Sequence, residues 1–296
     1  MTESHRPSVV NIVINLAFII LSIVIILPFA LVVIVSLSSN ESVLQQGYSY
    51  FPSEWSFEAY QYILTTPDII LQAYGVTILI TVIGTVCGLL LTAMTAYSIS
   101  RSDYRYNRIT TFYIFFTMLF GGGLVPFYIL ITQYLHLKDT MWAMILPLLL
   151  NPFNIMVMKG FLSEIPKEII ESAKMDGARE FRIFFTIVLQ LSTPALATLG
   201  LFISFGYWNE WFNAMLFIDS NTLVPLQLLL VRIMNTIEFL TTNSEFVSQV
   251  SINMQDFPTD SARMAIAVLA GGPMLVIFPF FQKYFVKGLT VGSLKG

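Results

Sequence analysis

The sequence contains few charged residues. Asp, Glu, Lys and Arg make up 11% of the 296 residues, whereas a soluble domain carries roughly a quarter. The charges that are present cluster in short segments between long apolar runs, and 56% of all residues are hydrophobic. Because continuous apolar surface on this scale is stable only in contact with lipid, the composition predicts a chain embedded in a bilayer.

Several chemical signatures are also missing. The single cysteine, Cys87, has no partner for an intrachain disulfide, and we interpret it as a small buried apolar residue. His5 and His136 have no Cys, Asp or second His at metal-ligand spacing, so we expect no metal site. No run of Lys and Arg suggests a nucleic-acid partner. No Gly-x-x-x-x-Gly-Lys-Ser/Thr loop occurs, so this chain is not itself an ATPase.

Six apolar segments are long enough to cross a bilayer, which takes about 20 residues. They cover approximately residues 12–37, 69–98, 111–134, 140–162, 183–218 and 264–285. The first is too long for the apolar part of a signal peptide and lacks a small-residue cleavage site after it, so we expect a retained helix. The pattern predicts an all-α membrane protein with six transmembrane helices.

Basic residues predict the orientation of these helices. With the N-terminus inside, only Lys138, Arg232 and Arg263 fall outside, so twelve of the 15 Lys and Arg residues are cytoplasmic. This arrangement puts both termini in the cytoplasm. It also places two longer segments outside, residues 38–68 and residues 219–263, and the second contains a short helical stretch at 226–234.

The longest polar segment on the predicted cytoplasmic side covers residues 163–194. Pro166 suits the first turn of a helix, and the nearby Glu168 and Glu171 suit the positive end of its dipole. Gly177 can adopt the left-handed conformation that ends a helix. These features predict a short surface helix between two membrane spans, followed by a turn.

The same segment resembles the coupling loop of ABC importer permeases, written EAA, three residues, Gly, nine residues, Ile, one residue, Leu-Pro. Here the spacing is met by Glu171-Ser172-Ala173, Gly177, Ile187 and Leu189-Gln190, with the extended form Asp176-Gly177-Ala178. Two positions depart from the pattern. Ser172 replaces an alanine, and Gln190 replaces the proline that would kink the chain. Pro194, four residues on, is our candidate for the kink.

In that family the loop seats a helix in a cleft of an ATPase subunit. The resemblance implies that Glu171 faces a basic residue of this partner and that Gly177 sets the angle of the loop. The small residues Ala173 and Ala178 would permit close approach to the partner. The alternative is a generic amphipathic helix at the membrane surface, ended by an ordinary glycine.

The resemblance extends over nearly the whole chain, to the smaller permease of maltose-type carbohydrate importers and the branch linked to complex oligosaccharides. Supporting stretches are residues 121–126, 207–211 and 281–296. The resemblance implies a type I ABC importer permease fold in the cell membrane. The implied partners are a homologous second permease, two ATPase subunits that bind ATP and Mg, and an extracytoplasmic solute-binding protein; this chain would hold no cofactor.

The resemblance also implies a division of the chain. Residues 1–68 would form an N-terminal transmembrane helix and an external loop, and residues 69–286 the permease core with its coupling loop at 163–182. Residues 287–296 would be a cytoplasmic tail that reaches the ATPase dimer interface. The outer segment 219–263 would enter the binding protein.

Polar and aromatic residues within the spans are candidates for a sugar path, because polar groups in a membrane are costly. The first group lies in the fifth span, where aromatic rings could stack on sugars and polar groups could bind hydroxyls: Tyr207, Trp208, Asn209, Glu210 and Trp211. The alternative is an interfacial aromatic belt with Glu210 as an anchor. Asn151 and Asn154 are second candidates, for which we favour helix-to-helix hydrogen bonding. We expect Gly121 to Gly123 to allow close packing or a helix break.

Two other functions compete with the permease. An ion-coupled secondary carrier would need ionisable residues deep in the spans, and apart from Glu210 these are nearly absent. The lack of a fixed internal repeat also gives no support to an inverted-repeat carrier. An intramembrane enzyme would need a nucleophile with a base, or metal ligands, and no such group is visible.

Overall fold

The computed structural model describes residues 9–64, 67–242 and 259–293. In these residues the structure is helical, apart from turns and one isolated antiparallel bridge between Ser38 and Trp55. They fall into two compact units. One is formed by residues up to 67 together with 233–272, and the other by residues 68–232 together with 273 onward.

The first unit begins with α1, Val9–Ser36, followed by the short helices α2, Asn40–Gln46, and α3, Glu58–Ile63. Ser39 caps α2 by accepting a hydrogen bond from the amide of Ser42. Most apolar side chains of α1 are exposed in this chain. Exposed apolar side chains along a helix of this composition are suited to contact with lipid.

The second unit contains most of the remaining helices. They are α4, Pro67–Ser100; α5, Asn107–Leu119; α6, Leu124–Ile129; α7, Met141–Ile145; α8, Pro152–Leu162; α9, Lys167–Met175; α10, Glu180–Ile183; α11, Leu189–Leu191; α12, Thr193–Trp208; and α13, Phe212–Phe217. Two longer helices follow, α14, Leu226–Thr242, and α15, Thr259–Ser293, and each has residues in both units. π-helical turns at Leu130–Tyr134 and Phe184–Val188 extend α6 and α10.

The helices reproduce the six predicted segments. Three single helices are long and apolar enough to span a membrane, over Val10–Ser36, Pro67–Ser100 and Asp260–Pro279. Three bent pairs pass the same test: Asn107–Leu119 with Leu124–Tyr134, Met141–Leu148 with Pro152–Leu162, and Glu180–Leu191 with Thr193–Trp208. Counted as one broken span each, the pairs bring the number of spans among the described residues to six.

Local sequence explains the bends. The bend of 111° in the third span falls at Gly121 to Gly123, where Gly123 has a φ of 86°, so the glycines provide a helix break. A Cβ at Gly121 or Gly122 would meet no atom within 4 Å, so close packing inside this chain is not their role. The bend of 84° in the fifth span lies between Leu191 and Thr193. Pro194 stands in the first turn of α12 at this bend, as expected of the replacement for the missing motif proline.

Buried side chains of the second unit form two main clusters. The Met158 cluster joins the end of α4 to α8, α10 and α12, and its members include Ile99, Met158, Ile183 and Leu199. The Tyr207 cluster joins α4, α7 and α12 and includes Ile80, Ile145 and Tyr207. α9 lies beside the first of these clusters.

Cys87 is exposed and not buried as predicted, because it lies on a face of α4 that the other described residues leave uncovered. The helix α15 continues to Ser293, so the backbone of most of the predicted tail, 287–296, is helical. Residues 294–296 of this tail lie outside the described residues, as do residues 243–258 of the predicted outer segment 219–263.

Candidate functional site

The predicted surface helix is α9. It begins at Lys167, so Pro166 occupies the capping position before the first turn rather than the first turn itself. Glu168 lies in the first turn and Lys174 in the last, where each charge opposes the partial charge of the nearer helix end. The sequence therefore determines both ends of this helix through local interactions.

Gly177 ends α9 as predicted. Its φ is 79°, in the left-handed region. Its amide donates to the carbonyl of Lys174, and the amide of Ala178 donates to the carbonyl of Ala173, both at 3.0 Å. This pair of bonds is the Schellman motif, which satisfies the last carbonyls of a helix and reverses the chain direction. The turn leads directly into α10.

α9 has one face against its own chain and one face free. Ile170 and Ala173, together with Ala178 after the turn, pack against the Met158 cluster. The small residues Ala173 and Ala178 are partly buried and permit close approach of α9 to the rest of its own chain. On the free side Met175 is 89% exposed.

The other predicted coupling residues lie around this free surface. Glu171, Ser172, Asp176 and Gly177 are all exposed. Methionine is enriched at protein–protein interfaces, so the exposed Met175 beside these polar groups is compatible with a docking surface for another protein.

A cluster of charges beside α9 was not predicted from the sequence. The Lys174 Nζ lies 2.7 Å from the Glu180 Oε1 and 3.2 Å from the Asp103 Oδ2. Arg101 forms an ion pair with Asp103, and its Nη1 lies 3.5 Å from the Glu180 Oε2. The Tyr97 hydroxyl donates to the Glu180 Oε2 at 3.0 Å and accepts a hydrogen bond from Arg101 at 2.9 Å. The four charges balance, so the cluster is neutral as a whole.

The groups of this cluster are held in their charged forms. Hydrogen bonds from Arg101 hold the pKa of the Asp103 carboxyl well below its usual range. The hydrogen bond to Glu180 raises the pKa of the Lys174 amine. The lowered pKa of the carboxyl and the raised pKa of the amine both favour the charged form at neutral pH. The sequence signal was a Lys and a Glu on either side of the predicted glycine turn, but nothing in the sequence pointed to Arg101 and Asp103 as their partners.

The candidate path residues of the fifth span divide into buried and exposed groups. Tyr207 is 1% exposed, and its hydroxyl donates to the carbonyl of Ile145 at 2.8 Å. Trp208 is also buried. Glu210 is buried, and its Oε1 accepts a hydrogen bond from the amide of Asn213 at 2.6 Å, in the first turn of α13. The side chains of Tyr207, Trp208 and Glu210 are therefore enclosed by their own chain.

Asn209 and Trp211 are exposed. The Asn209 Nδ2 donates to the carbonyl of Phe205 at 2.9 Å. Asn151 is exposed and caps α8 by accepting from the amide of Phe153, whereas Asn154 is buried. Of the predicted path residues, Asn209, Trp211 and Asn151 therefore remain accessible from outside the chain.

The turn between the third and fourth spans is tied to the end of the fifth. The Asp139 Oδ1 accepts hydrogen bonds from the amides of Asp219 and Ser220, at 3.2 and 2.9 Å. Lys138 forms an ion pair with Asp219 at 2.8 Å. The amides lower the pKa of the Asp139 carboxyl. These contacts fix where the chain leaves the fifth span towards α14.

Comparisons with known proteins decide among the three competing functions. Residues 84–291 match the family described as the binding-protein-dependent transport system inner membrane component. The chain belongs to this family. The match covers the described elements from the middle of α4 to near the end of α15, including α9 and its turn.

Curated relatives of the permease family agree with this assignment. Protein LplC of Bacillus subtilis is 36% identical over 92% of this chain and 90% of its own length. The polygalacturonan/rhamnogalacturonan transport system permease protein YtcP of the same bacterium is 38% identical over 93% of this chain and 94% of its own length.

A solved structure shows the same fold. It is the crystal structure of a bacterial ABC transporter involved in the import of the acidic polysaccharide alginate. One of its chains is 30% identical, with a TM-score of 0.79 over 96% of this chain and 99% of that chain. The predicted type I ABC importer permease fold is confirmed. The chain is a non-catalytic permease component of an importer, not a secondary carrier or an intramembrane enzyme.

Proposed function

We propose that this permease imports an oligosaccharide and that α9 docks on an ATPase subunit that drives the import. The observation that carries the docking proposal is the free face of α9, where Met175 projects from a helix whose other face is anchored in the Met158 cluster. An anchored helix can pass a movement on, and an exposed apolar residue can fill a pocket of a partner.

The proposed complex contains a homologous second permease, two ATPase subunits and an extracytoplasmic binding protein. ATP and Mg belong to the ATPase subunits and supply the energy there. Glu171, Ser172, Asp176 and Gly177 would form the rest of the docking surface around Met175, with Ala173 and Ala178 holding α9 against its own chain. The tail 287–296 would lie near the same partner.

The proposed orientation puts both termini and α9 in the cytoplasm of a cell whose cytoplasmic membrane holds the complex. It is supported by the twelve basic residues that this arrangement keeps inside. Residues 38–68 and 219–263 then lie outside, and α14 is part of the surface that would receive the binding protein.

The substrate class is proposed from the relatives and from the accessible residues of the fifth span. The names of the similar proteins refer to polygalacturonan, rhamnogalacturonan and the acidic polysaccharide alginate. Exposed Trp211 could stack on a sugar ring, and exposed Asn209 could bind hydroxyl groups. The path in this chain would therefore use Asn209, Trp211 and Asn151, without the enclosed Tyr207, Trp208, Glu210 and Asn154.

The docking proposal predicts that Met175→Glu detaches the ATPase. Placing a charge in an apolar pocket of the partner should cost about 2 kcal/mol or more, which weakens association roughly 30-fold. The measurement is the amount of ATPase that copurifies with the tagged permease from membranes that contain the whole complex. Met175→Leu, which keeps the apolar volume, should retain wild-type recovery. Equal recovery with glutamate and leucine would contradict the docking surface.

The substrate proposal predicts a loss of affinity in Trp211→Ala. An aromatic contact contributes about 1 kcal/mol, so we expect the apparent KM for uptake to rise about fivefold with little change in maximal rate. The probe is a radiolabelled oligogalacturonide taken up by cells that express the complex. Trp142→Ala is the matched control, because Trp142 is an exposed tryptophan on α7 that has no proposed role. If both variants change the KM alike, Trp211 is not part of a specific path.

A further inference from the structure

Lys174 connects α9 to two other elements of the fold. Its amine reaches Glu180, the first residue of α10, and Asp103, in the turn after α4. Arg101 holds Asp103 from the other side, and its side chain is only 14% exposed. The ends of α4 and α10 and the last turn of α9 are thereby joined by one chain of ion pairs and hydrogen bonds.

The packing on this side of α9 is open. A cavity of about 310 Å³ lies between α9 and the turn after α4, and its walls include Ser102, Ile165 and Glu171. A second cavity of about 370 Å³ lies on the α10 side of Arg101 and Asp103 and includes Ser98 and Phe181 in its walls. The contacts of Lys174 therefore bridge a part of the junction between α9 and α4 that has open space on both sides of Arg101 and Asp103.

A second attachment of α9, on the same face as Lys174, is apolar. Ile170 and Ala173 pack on the Met158 cluster, which includes Ile183 of α10 and Ile99 of α4. Apolar contacts of Ile170 and Ala173 and the ion pairs of the neighbouring Lys174 thus hold one face of α9 to the same two helices.

We propose that Lys174 is a positioning residue for energy coupling, which makes α9, the end of α4 and the start of α10 move as one body. When an ATPase subunit displaces α9, the pairs with Asp103 and Glu180 transmit the displacement to the second span and to the first half of the fifth. This inference rests on the proposed docking of α9. A contiguous ion-pair network of this kind is a physical route for coupling, and its disruption should weaken the response.

The test measures whether α9 and the end of α4 move together. Spin labels are attached to cysteines introduced at Ser102 and Glu168 in a Cys87→Ser background, which removes the only native cysteine. The distance between the labels is measured in the full complex in lipid, without nucleotide and with trapped ATP. For the native lysine we expect one narrow distribution with the same centre in both states. In Lys174→Met the distribution should broaden, and its centre should differ between the two states.

Controls separate this role from general destabilisation. Lys174→Arg keeps both ion pairs and should restore the narrow distribution, and Asp103→Asn, which removes the pair between α9 and the labelled turn, should broaden it as Lys174→Met does. Arg108→Met removes an exposed basic residue that forms no part of this cluster, and it should behave as the native chain. A Lys174→Met complex that keeps its ATPase and has the native distribution in both states would overturn the proposal. Failure of the native chain to retain any ATPase would instead overturn the proposed docking.

Discussion

A Gly177→Val permease is expected to reach the membrane and to lose most of its ATP-driven uptake. Gly177 has a φ of 79°, and valine is disfavoured there because its branched Cβ clashes with the backbone. A residue other than glycine costs roughly 1–2 kcal/mol in this conformation, and more if it is β-branched, so the native turn should become about ten times less populated or rarer. The measurement is oligogalacturonide uptake together with the ATPase activity of the purified complex in lipid.

The turn matters because of what it brings together. It reverses the chain between Lys174 and Glu180, whose side chains are then 2.7 Å apart. If the turn opens, the two hydrogen bonds of the Schellman motif and this ion pair are lost at the same time. The free face of α9 would then no longer be presented at a fixed angle to a partner, and an ATPase that still binds could not pass its movement on.

A matched replacement distinguishes backbone conformation from bulk. Gly177→Asn adds a larger polar side chain, but asparagine tolerates the left-handed region. A Cβ added at Gly177 would have no atom of the described residues within 4 Å, so the side chain itself meets no obstacle. We therefore expect asparagine to keep most of the uptake. If asparagine is as damaging as valine, contact with the partner and not the φ angle is responsible, and full uptake by the valine variant would contradict the role of the turn altogether.

The membrane spans could be predicted because they depend on a property that is local in sequence. A run of about 20 apolar residues is sufficient to identify a span whatever lies beside it. Two of the bends fall at backbone signals that the sequence analysis singled out, Gly121 to Gly123 and Pro194. The bend of 47° in the fourth span occurs where Pro152 begins α8, and we did not predict it from that proline.

The coupling helix was predictable for the same reason, since caps, dipole charges and a left-handed glycine all act within a few residues. The charge cluster around Lys174 was not predictable from the sequence. Asp103 and Lys174 are distant in sequence and come together only through the packing of α4 against α8 and α10. Pairing across such a distance leaves no periodic signal in one sequence.

The path residues show a different limit. In a membrane protein a tyrosine or tryptophan at the end of a span can contact lipid, line a path or fill the core, and the sequence is similar in all three cases. Tyr207 is enclosed because α4 presents Gly84 to its ring. The absence of a side chain at one residue thus decides the role of another, and this can be recognised only when both positions are known in space.

Replacing Gly84 with alanine should therefore destabilise the Tyr207 cluster. A Cβ at Gly84 would lie 2.3 Å from the Tyr207 Cζ, which is far below van der Waals contact. The ring cannot simply move away, because it is buried and its hydroxyl is bonded to the carbonyl of Ile145. Overpacking of this kind costs about 1–3 kcal/mol in the free energy of unfolding. The measurement is the midpoint of thermal loss of monodisperse protein in detergent.

Two further variants test whether contact with the Tyr207 ring causes the lower midpoint of Gly84→Ala. Gly75 lies on the same helix, and a Cβ added there would meet no atom within 4 Å. Gly75→Ala should therefore stabilise the helix by roughly 0.5–1 kcal/mol and raise the thermal midpoint. In a Tyr207→Ala background the ring is gone, and Gly84→Ala should become neutral or stabilising. A positive coupling between the two sites would follow from their direct contact. If Gly84→Ala lowers the midpoint equally with and without the ring, the contact with Tyr207 is not the reason that this position holds a glycine.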